Sequence, residues 1–314
     1  MLNLLALLPK LPHASLADPS RAAGLHLVAA PKPALERTLP APRHALVAAH
    51  PRALRGMAEM NSGLASRVFL SAAQRSALQA GVGIYVFHKI APAPRGTRDP
   101  FEYTAPEILR RKLTALKSAC DDGITLDAFA DSPGECQESF ALTFDDGYRN
   151  TVENGLPILR ELGLKATLYV VAGKIGGENS WDQAKGDVPE KLADKELLAE
   201  WLAAGHSLGS HSLTHPNLRK ISPARAREEI FSSKKLLEDT FGVGVRHFCY
   251  PYGSFNAPIR DLVAEAGYAT ATTVEFGVAA PGESLFELPR LPALTAAQWA
   301  HKALHRAKRE VGLA

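Results

Sequence analysis

The feature that most constrains the fold is an alternation of short apolar segments with amphipathic ones, which starts near residue 80. The apolar segments are rich in β-branched and aromatic residues, which is typical of buried strands. We predict strands at residues 83–88, 139–144, 165–171, 206–210, 246–250 and 268–274. Asp194 and Ser222 stand where helix N-caps are expected, and Gly163 and Gly205 where helices end. Strands that alternate with helices through short links indicate an α/β fold with a parallel sheet, and six or seven such units over roughly 230 residues favour a closed barrel.

Several classes of protein are excluded. No G-x-G-x-x-G and no P-loop follows a predicted strand, which argues against a nucleotide-dependent enzyme. The net charge of +3 over 314 residues is too small to indicate a nucleic-acid partner. Three cysteines, Cys120, Cys136 and Cys249, cannot make a disulfide framework in so long a chain. We find no transmembrane segment in the sequence.

Residues 1–56 differ in composition, because they hold seven Lys and Arg against only Asp18 and Glu36. We predict that they are disordered, or that they are a mis-annotated extension with the true start at Met57 or Met60. Residues 57–79 are interpreted as a lead-in segment and residues 80–314 as a single catalytic domain. The apolar start lacks a positively charged n-region, so we expect no signal peptide. This favours a cytoplasmic location, with export to the cell envelope as the alternative.

Three clusters of unusual residues each follow a predicted strand. In T-F-D-D-G at residues 143–147 the two neighbouring carboxylates repel each other unless a cation compensates. The alternative is a solvated turn, because Asp-Asp-Gly is also typical of turns. In H-S-L-T-H at residues 211–215 the two histidines can face one metal, but a pair of surface histidines would look the same. In C-Y-P-Y-G at residues 249–253 the pattern indicates a fixed segment with exposed backbone, or simply a structural loop. Together, one Asp and two His make a set of metal ligands, and the other Asp is free to act as a base.

With these motifs the chain resembles the polysaccharide deacetylases with a NodB-like domain, also called carbohydrate esterase family four. The family's T-F-D-D-G and H-[ST]-x-x-H motifs are complete here, and its R-P-P-Y-G motif is matched only in part. The resemblance covers about residues 80–292. It implies an irregular (β/α)7-type barrel.

The resemblance also implies roles for single residues. Asp146, His211 and His215 would bind a divalent metal, commonly zinc, and Asp145 would be the general base that activates water. Tyr252 would offer its backbone N–H to the oxyanion of the transition state. The implied reaction removes N-acetyl groups from the amino sugars of a polysaccharide or oligosaccharide, which makes an acetylated amino-sugar polymer or oligomer the expected partner.

Two departures from the family pattern need substitutes. Cys249 stands where relatives have the arginine that orients the base, and we interpret Arg290 as the replacement cation. The late Leu-x-His motif, source of the general acid, is not recognisable. His88, which ends the first predicted strand, resembles the Tyr-His motif of a permuted branch of the family and is our candidate for the acid. Asp182 is a candidate to contact sugar or to orient a ligand histidine, with a loop position of no function as the alternative.

Two other functions stay open at this point. The same site would also suit a hydrolase of another non-peptide C–N bond. Loss of the third-motif arginine and of the late motif would also fit a degenerate carbohydrate-binding module. The sequence makes no prediction of the oligomeric state.

Overall fold

A computed structural model of the chain describes residues 78, 80–120, 123–136 and 138–292. The expectations for residues 1–56 lie outside the described residues. The same holds for the lead-in segment apart from Leu78, and for residues 293–314 of the predicted domain.

The described strands are all parallel and form one sheet. They are β1 (Gly83–Phe87), β2 (Gly123–Ile124), β3 (Phe140–Phe144), β4 (Thr167–Val170), β5 (Ser207–Ser210), β6 (His247–Cys249), β7 (Thr270–Phe276) and β8 (Leu288–Pro292). Strand β1 pairs with both β3 and β8, so the sheet closes into a ring of seven strands. The prediction of a (β/α)7-type barrel is thereby confirmed.

Strand β2 is a short addition to this ring. Because β1 runs along the whole of β3, from Phe140 to Phe144, the other edge of β3 is shared by two strands. Strand β2 pairs at Phe140 and Ala141, and β4 pairs at Thr143 and Phe144. The barrel is therefore irregular at this position.

The helices lie between the strands in sequence, as the alternation predicts. They are α1 (Pro106–Lys117), α2 (Leu126–Asp131), α3 (Leu156–Leu162), α4 (Ser180–Gln183), α5 (Lys195–Ala203), α6 (Pro223–Phe241) and α7 (Ala257–Glu265). The Asp194 side chain accepts from the Leu197 N–H at the start of α5, and Ser222 does the same for Arg225 at α6. Both predicted caps are confirmed. None of the helices among the described residues has the length and apolar character that crossing a membrane requires.

Strand β8 was not among the predicted strands, because Pro289 and Pro292 argue against a regular ladder. Its pairing with β7 is irregular between Thr272 and Phe276, and a proline without an N–H is tolerated at such an irregularity. On its other side β8 pairs with β1 at Tyr85 and Val86. The late segment around Arg290 is therefore an integral part of the barrel wall.

The core lies inside the ring and between the ring and the helices. In α1 the buried residues Leu109, Leu113 and Leu116 recur at helical spacing and face the sheet. Trp201 of α5 packs edge-on against Phe144 at the end of β3, with ring centroids 5.9 Å apart. Each such large apolar side chain contributes about 1.5–3 kcal/mol by leaving water. This packing fixes the carboxyl ends of the strands, where the motif residues follow.

Candidate metal centre and active site

The structure brings the predicted site residues together at the carboxyl ends of the barrel strands. Asp145 and Asp146 directly follow β3, His211 directly follows β5, and His88 directly follows β1. Because parallel strands in a barrel end at the same rim, residues far apart in sequence meet there.

Asp146, His211 and His215 form a compact group of possible metal ligands. The Asp146 Oδ1 atom lies 3.4 Å from His211 Nε2 and 3.3 Å from His215 Nε2. One donor atom from each residue lies within 4.8 Å of the others, and all three side chains are buried. One carboxylate oxygen and two imidazole nitrogens are the donor set of many zinc sites with an open position. The residues present therefore fit a divalent cation.

Hydrogen bonding prepares His211 for this role. Its Nδ1 lies 2.8 Å from the Cys249 carbonyl oxygen, and because a carbonyl can only accept, Nδ1 carries the proton. In the neutral ring the Nε2 lone pair is then free and faces Asp146. The His215 ring is held by packing, between Trp181 at 4.5 Å and Tyr252 at 4.7 Å between ring centroids.

The charges of the group favour a cation. Burial would raise the pKa of Asp146, but the two imidazoles hold it far below its ordinary value. Burial would lower the pKa of His211, yet the Cys249 side chain and the two aspartates raise it to about 10, so without a metal its Nε2 carries a proton that a bound cation would displace. The pKa of His215 is lowered, chiefly by burial. A carboxylate that stays ionised in a buried site attracts positive charge.

Arg290 holds Asp145 with two parallel hydrogen bonds. Its Nη1 donates to Oδ1 at 2.7 Å and its Nη2 to Oδ2 at 2.8 Å, and both side chains are buried. Burial would raise the pKa of Asp145, but the charge and the hydrogen bonds of Arg290 outweigh this and hold the pKa below its ordinary value. Asp145 is therefore ionised at neutral pH.

The remaining N–H groups of Arg290 also find acceptors. Its Nε donates to the Thr273 carbonyl at 2.8 Å, Nη1 also donates to Thr143 Oγ1 at 3.3 Å, and Nη2 to Cys249 Sγ at 3.2 Å. All five guanidinium N–H groups are thus directed at acceptors, which fixes the orientation of the fork. Arg290 thus reaches Asp145 from β8, and Cys249 of β6 contacts the same guanidinium.

His88 lies at the open side of the base. Its Nε2 is 3.9 Å from Asp145 Oδ2, and the His88 side chain is 27% exposed where that of Asp145 is 5% exposed. The Asp145 N–H donates to the Phe87 carbonyl at 2.9 Å, which ties the ends of β1 and β3 together. The imidazole is placed between the buried base and solvent.

Tyr252 borders the group of possible metal ligands, and its own backbone is strained. Its φ of 60° is left-handed, and the residue is 41% exposed, with its ring beside that of His215. Gly253 is required next to it, because a Cβ at that position would lie 2.3 Å from Val274 Cγ2. The turn thus holds the Tyr252 ring against that of His215, with ring centroids 4.7 Å apart.

Asp182, in helix α4, makes its contacts with neighbouring residues and with Tyr148. Its Oδ2 accepts from Tyr148 Oη at 3.2 Å and Asn179 Nδ2 at 3.3 Å, and Lys185 Nζ lies 3.4 Å from its Oδ1. The preceding residue, Trp181, is the one whose ring packs against His215.

Sequence reasoning missed one residue near the histidines. Glu229 of α6 is fully buried and accepts hydrogen bonds from the backbone of Leu213 and Thr214. A signal was present, because Glu229 lies on the same helix face as the buried Ala226 and Ser233, at spacings of three and four. A carboxylate on a buried face needs partners there.

Comparison with known proteins agrees with these motifs. Residues 133–271 match a family described as "Polysaccharide deacetylase". A poly-β-1,6-N-acetyl-D-glucosamine N-deacetylase of Staphylococcus aureus is 27% identical over 160 residues, which cover 49% of this chain and 54% of that protein. YxkH of Bacillus subtilis is 27% identical over 150 residues, 48% of this chain and 50% of that protein. The chain thus spans about half the length of these curated relatives.

Solved structures share the fold. A polysaccharide deacetylase from Bacillus cereus has a TM-score of 0.58 at 23% identity, over 70% of this chain and 68% of that chain. IcaB from Ammonifex degensii has a TM-score of 0.60 at 19% identity, over 72% of this chain and 97% of that chain.

Proposed function

We propose that the chain, whose residues 133–271 match the polysaccharide deacetylase family, is a metal-dependent hydrolase that removes N-acetyl groups from the amino sugars of a polysaccharide or oligosaccharide. The observation that carries this proposal is the pairing of two aspartates with separate environments. Asp146 faces two imidazoles, and Asp145 is held by a guanidinium. Neighbouring carboxylates with different partners are suited to different tasks.

Asp146, His211 and His215 would hold the cation, with zinc as the first metal to test. When bound, a divalent cation polarises the acetyl carbonyl and lowers the pKa of water. The donation from His211 Nδ1 to the Cys249 carbonyl keeps this ligand in one tautomer and one orientation.

Asp145 takes the proton from the attacking water as the new C–O bond forms at the acetyl carbon. Arg290 keeps the carboxylate ionised and directs its oxygens, because both Oδ atoms accept from the guanidinium. The Tyr252 backbone N–H stabilises the negative charge that develops on the carbonyl oxygen.

Breaking the C–N bond requires a proton on the departing nitrogen. His88 donates it, because its imidazole lies beside Asp145 on the solvent side of the site. The nitrogen departs as a neutral amine and the acetyl group as acetic acid, and the proton that Asp145 took from water returns to His88. Acetic acid then gives its proton to the amine, so acetate and an ammonium group are released. Atoms and charges balance without a further reactant.

The name of the Staphylococcus aureus relative makes β-1,6-linked N-acetylglucosamine the first glycan to test. The two alternatives, hydrolysis of another C–N bond and a binding module without activity, predict no acetate release from any acetylated glycan.

The test is acetate release from a panel of acetylated glycans, with and without a chelator. We expect release that the chelator abolishes and that added zinc restores. Asp145→Asn should lower kcat by about 10²–10⁴-fold, because a general base contributes this much, and should leave the metal bound. Asp239→Asn, an exposed aspartate of α6 paired with Lys235, is the matched control and should be fully active. Activity of Asp145→Asn within tenfold of the unmodified protein would refute the role of the base.

A further inference from the structure

We propose that Glu229 is a positioning residue that holds the loop between His211 and His215 in the conformation needed to bind metal. The inference rests on the proposed function, because it assumes that these histidines are ligands. The hydrogen bonds of Glu229 in the described structure do not go to the ligand side chains. It acts instead through the backbone that connects His211 to His215.

The contacts of Glu229 account for both of its carboxylate oxygens. Its Oε2 accepts from the Leu213 N–H at 2.9 Å and the Thr214 N–H at 2.8 Å. Its Oε1 accepts from Thr214 Oγ1 at 2.5 Å and Arg225 Nη2 at 2.7 Å. The side chain is 0% exposed, so water does not compete for these bonds. Hydrogen bonds to a charged group are stronger than those between neutral groups.

The opposite side of the loop is held as well. The Ala172 N–H donates to the Ser212 carbonyl at 3.0 Å, and the Gly173 N–H to the Leu213 carbonyl at 2.8 Å. Gly173 permits this approach, since a Cβ there would lie 2.7 Å from the Leu213 oxygen. The peptide groups between the two histidines are therefore fixed between the turn after β4 and helix α6.

This loop needs outside support because its backbone is strained. Ser212 and His215 both have a φ of 66°, in the left-handed region that side-chain-bearing residues rarely adopt. Each such residue tends to relax unless its surroundings hold it. A small rotation at either residue would move the Nε2 atoms away from Asp146.

A glutamine at position 229 would keep the shape but not the bonds. It offers one acceptor oxygen and an NH₂ group, and that NH₂ must face either the backbone N–H groups or Arg225, all of which are donors. We therefore expect Glu229→Gln to loosen the loop. Loss of a group that orients metal ligands typically weakens metal binding by about 10–100-fold.

Glu228 is a matched control, because it is the next residue of the same helix and also binds Arg225. Its Oε2 accepts from Arg225 Nη1 at 2.8 Å, but its side chain is 54% exposed and no bond to the loop is among its contacts in the described structure. Glu228→Gln therefore makes the same chemical change without touching the loop, and it should bind metal as the unmodified chain does.

The experiment measures the Kd for Zn²⁺ by competition with a chromogenic chelator, on the purified full chain at a temperature where each variant is folded by circular dichroism. We expect the Kd of Glu229→Gln to rise by about 10–100-fold and that of Glu228→Gln to stay within twofold. A folded Glu229→Gln that binds Zn²⁺ within twofold of the unmodified chain would overturn the inference.

Thr214→Val decides the matter if Glu229→Gln does not fold. It removes the hydroxyl donor to Oε1 and keeps the size of the side chain, so we expect about a fivefold higher Kd. An unchanged Kd would overturn the inference. An unmodified chain that binds no Zn²⁺ would instead refute the metal dependence of the proposed function, and the inference with it, so the two failures are distinguishable.

Discussion

Arg290→Met is the change whose consequences follow most directly from the structure. It removes the guanidinium whose two hydrogen bonds, 2.7 and 2.8 Å long, hold Asp145, and leaves that carboxylate buried without a cation. Breaking a buried ion pair from one side costs about 3–5 kcal/mol in the free energy of unfolding. Acetate release should fall by about 10²-fold or more, because the base loses both its orientation and its charge.

The effect on stability should depend on pH with a definite sign. In the unmodified protein the pKa of Asp145 is lowered, so the ion pair stabilises the fold above the unfolded-state pKa of about 3.9 and this is lost as the pH falls. Without Arg290, burial is opposed only by the electrostatic effects of His88 and His211, and we expect the pKa of Asp145 to rise. Ionisation then destabilises the fold as the pH rises above about 3.9. The difference between the two proteins should therefore widen from acidic to neutral pH.

Urea unfolding at several pH values measures this difference, and Arg227→Met is the matched control. Arg227 also makes two bonds to a carboxylate, that of Glu265, but both side chains are about half exposed. A pair exposed to water is worth about 0–1 kcal/mol. A loss for Arg290→Met no larger than that of the control, or one independent of pH, would refute the reasoning.

Three further predictions concern other residues. His88→Gln should lower kcat for acetate release by about 10²–10⁴-fold with little change in metal affinity, and undiminished turnover would exclude it as the acid. Burial lowers the pKa of His206 to about 4, so the folded state should lose stability as the pH falls from about 6.5 to about 4, by at most about 3 kcal/mol. Thermal melts of His206→Asn should lack this part of the pH dependence; an identical dependence would contradict the assignment. Gly209→Ala would place a Cβ 2.4 Å from the Tyr169 ring and should cost about 1–3 kcal/mol in urea unfolding, and an unchanged midpoint would contradict the packing.

Much of the fold could be predicted because local signals and tertiary structure agree. Asp194 and Ser222 cap α5 and α6 as expected, and the β-branched segments became parallel strands. The group of possible metal ligands could also be anticipated. The residues after β3 and β5 carry side chains that have no purpose in a core, and parallel strands bring them to one rim.

The remaining parts depend on contacts that local sequence does not encode. Arg290 could be proposed from the sequence as the replacement cation, but its bonds to Asp145 depend on strand β8, which the prolines of that segment argue against. The conformation of the loop that carries His215 depends on Glu229, sixteen residues from Leu213 in sequence. Such roles are visible only once the helix and the loop are placed against each other.

Strand β8 is the one that closes the barrel, and it is also the one that carries Arg290. It pairs with β1, whose residues lie some two hundred positions earlier in the sequence. This contact therefore closes a long stretch of chain, and its entropic cost is high. An unclosed ring would leave Asp145 without the guanidinium whose two hydrogen bonds orient it. In the proposed mechanism, closure of the barrel would therefore also position the base.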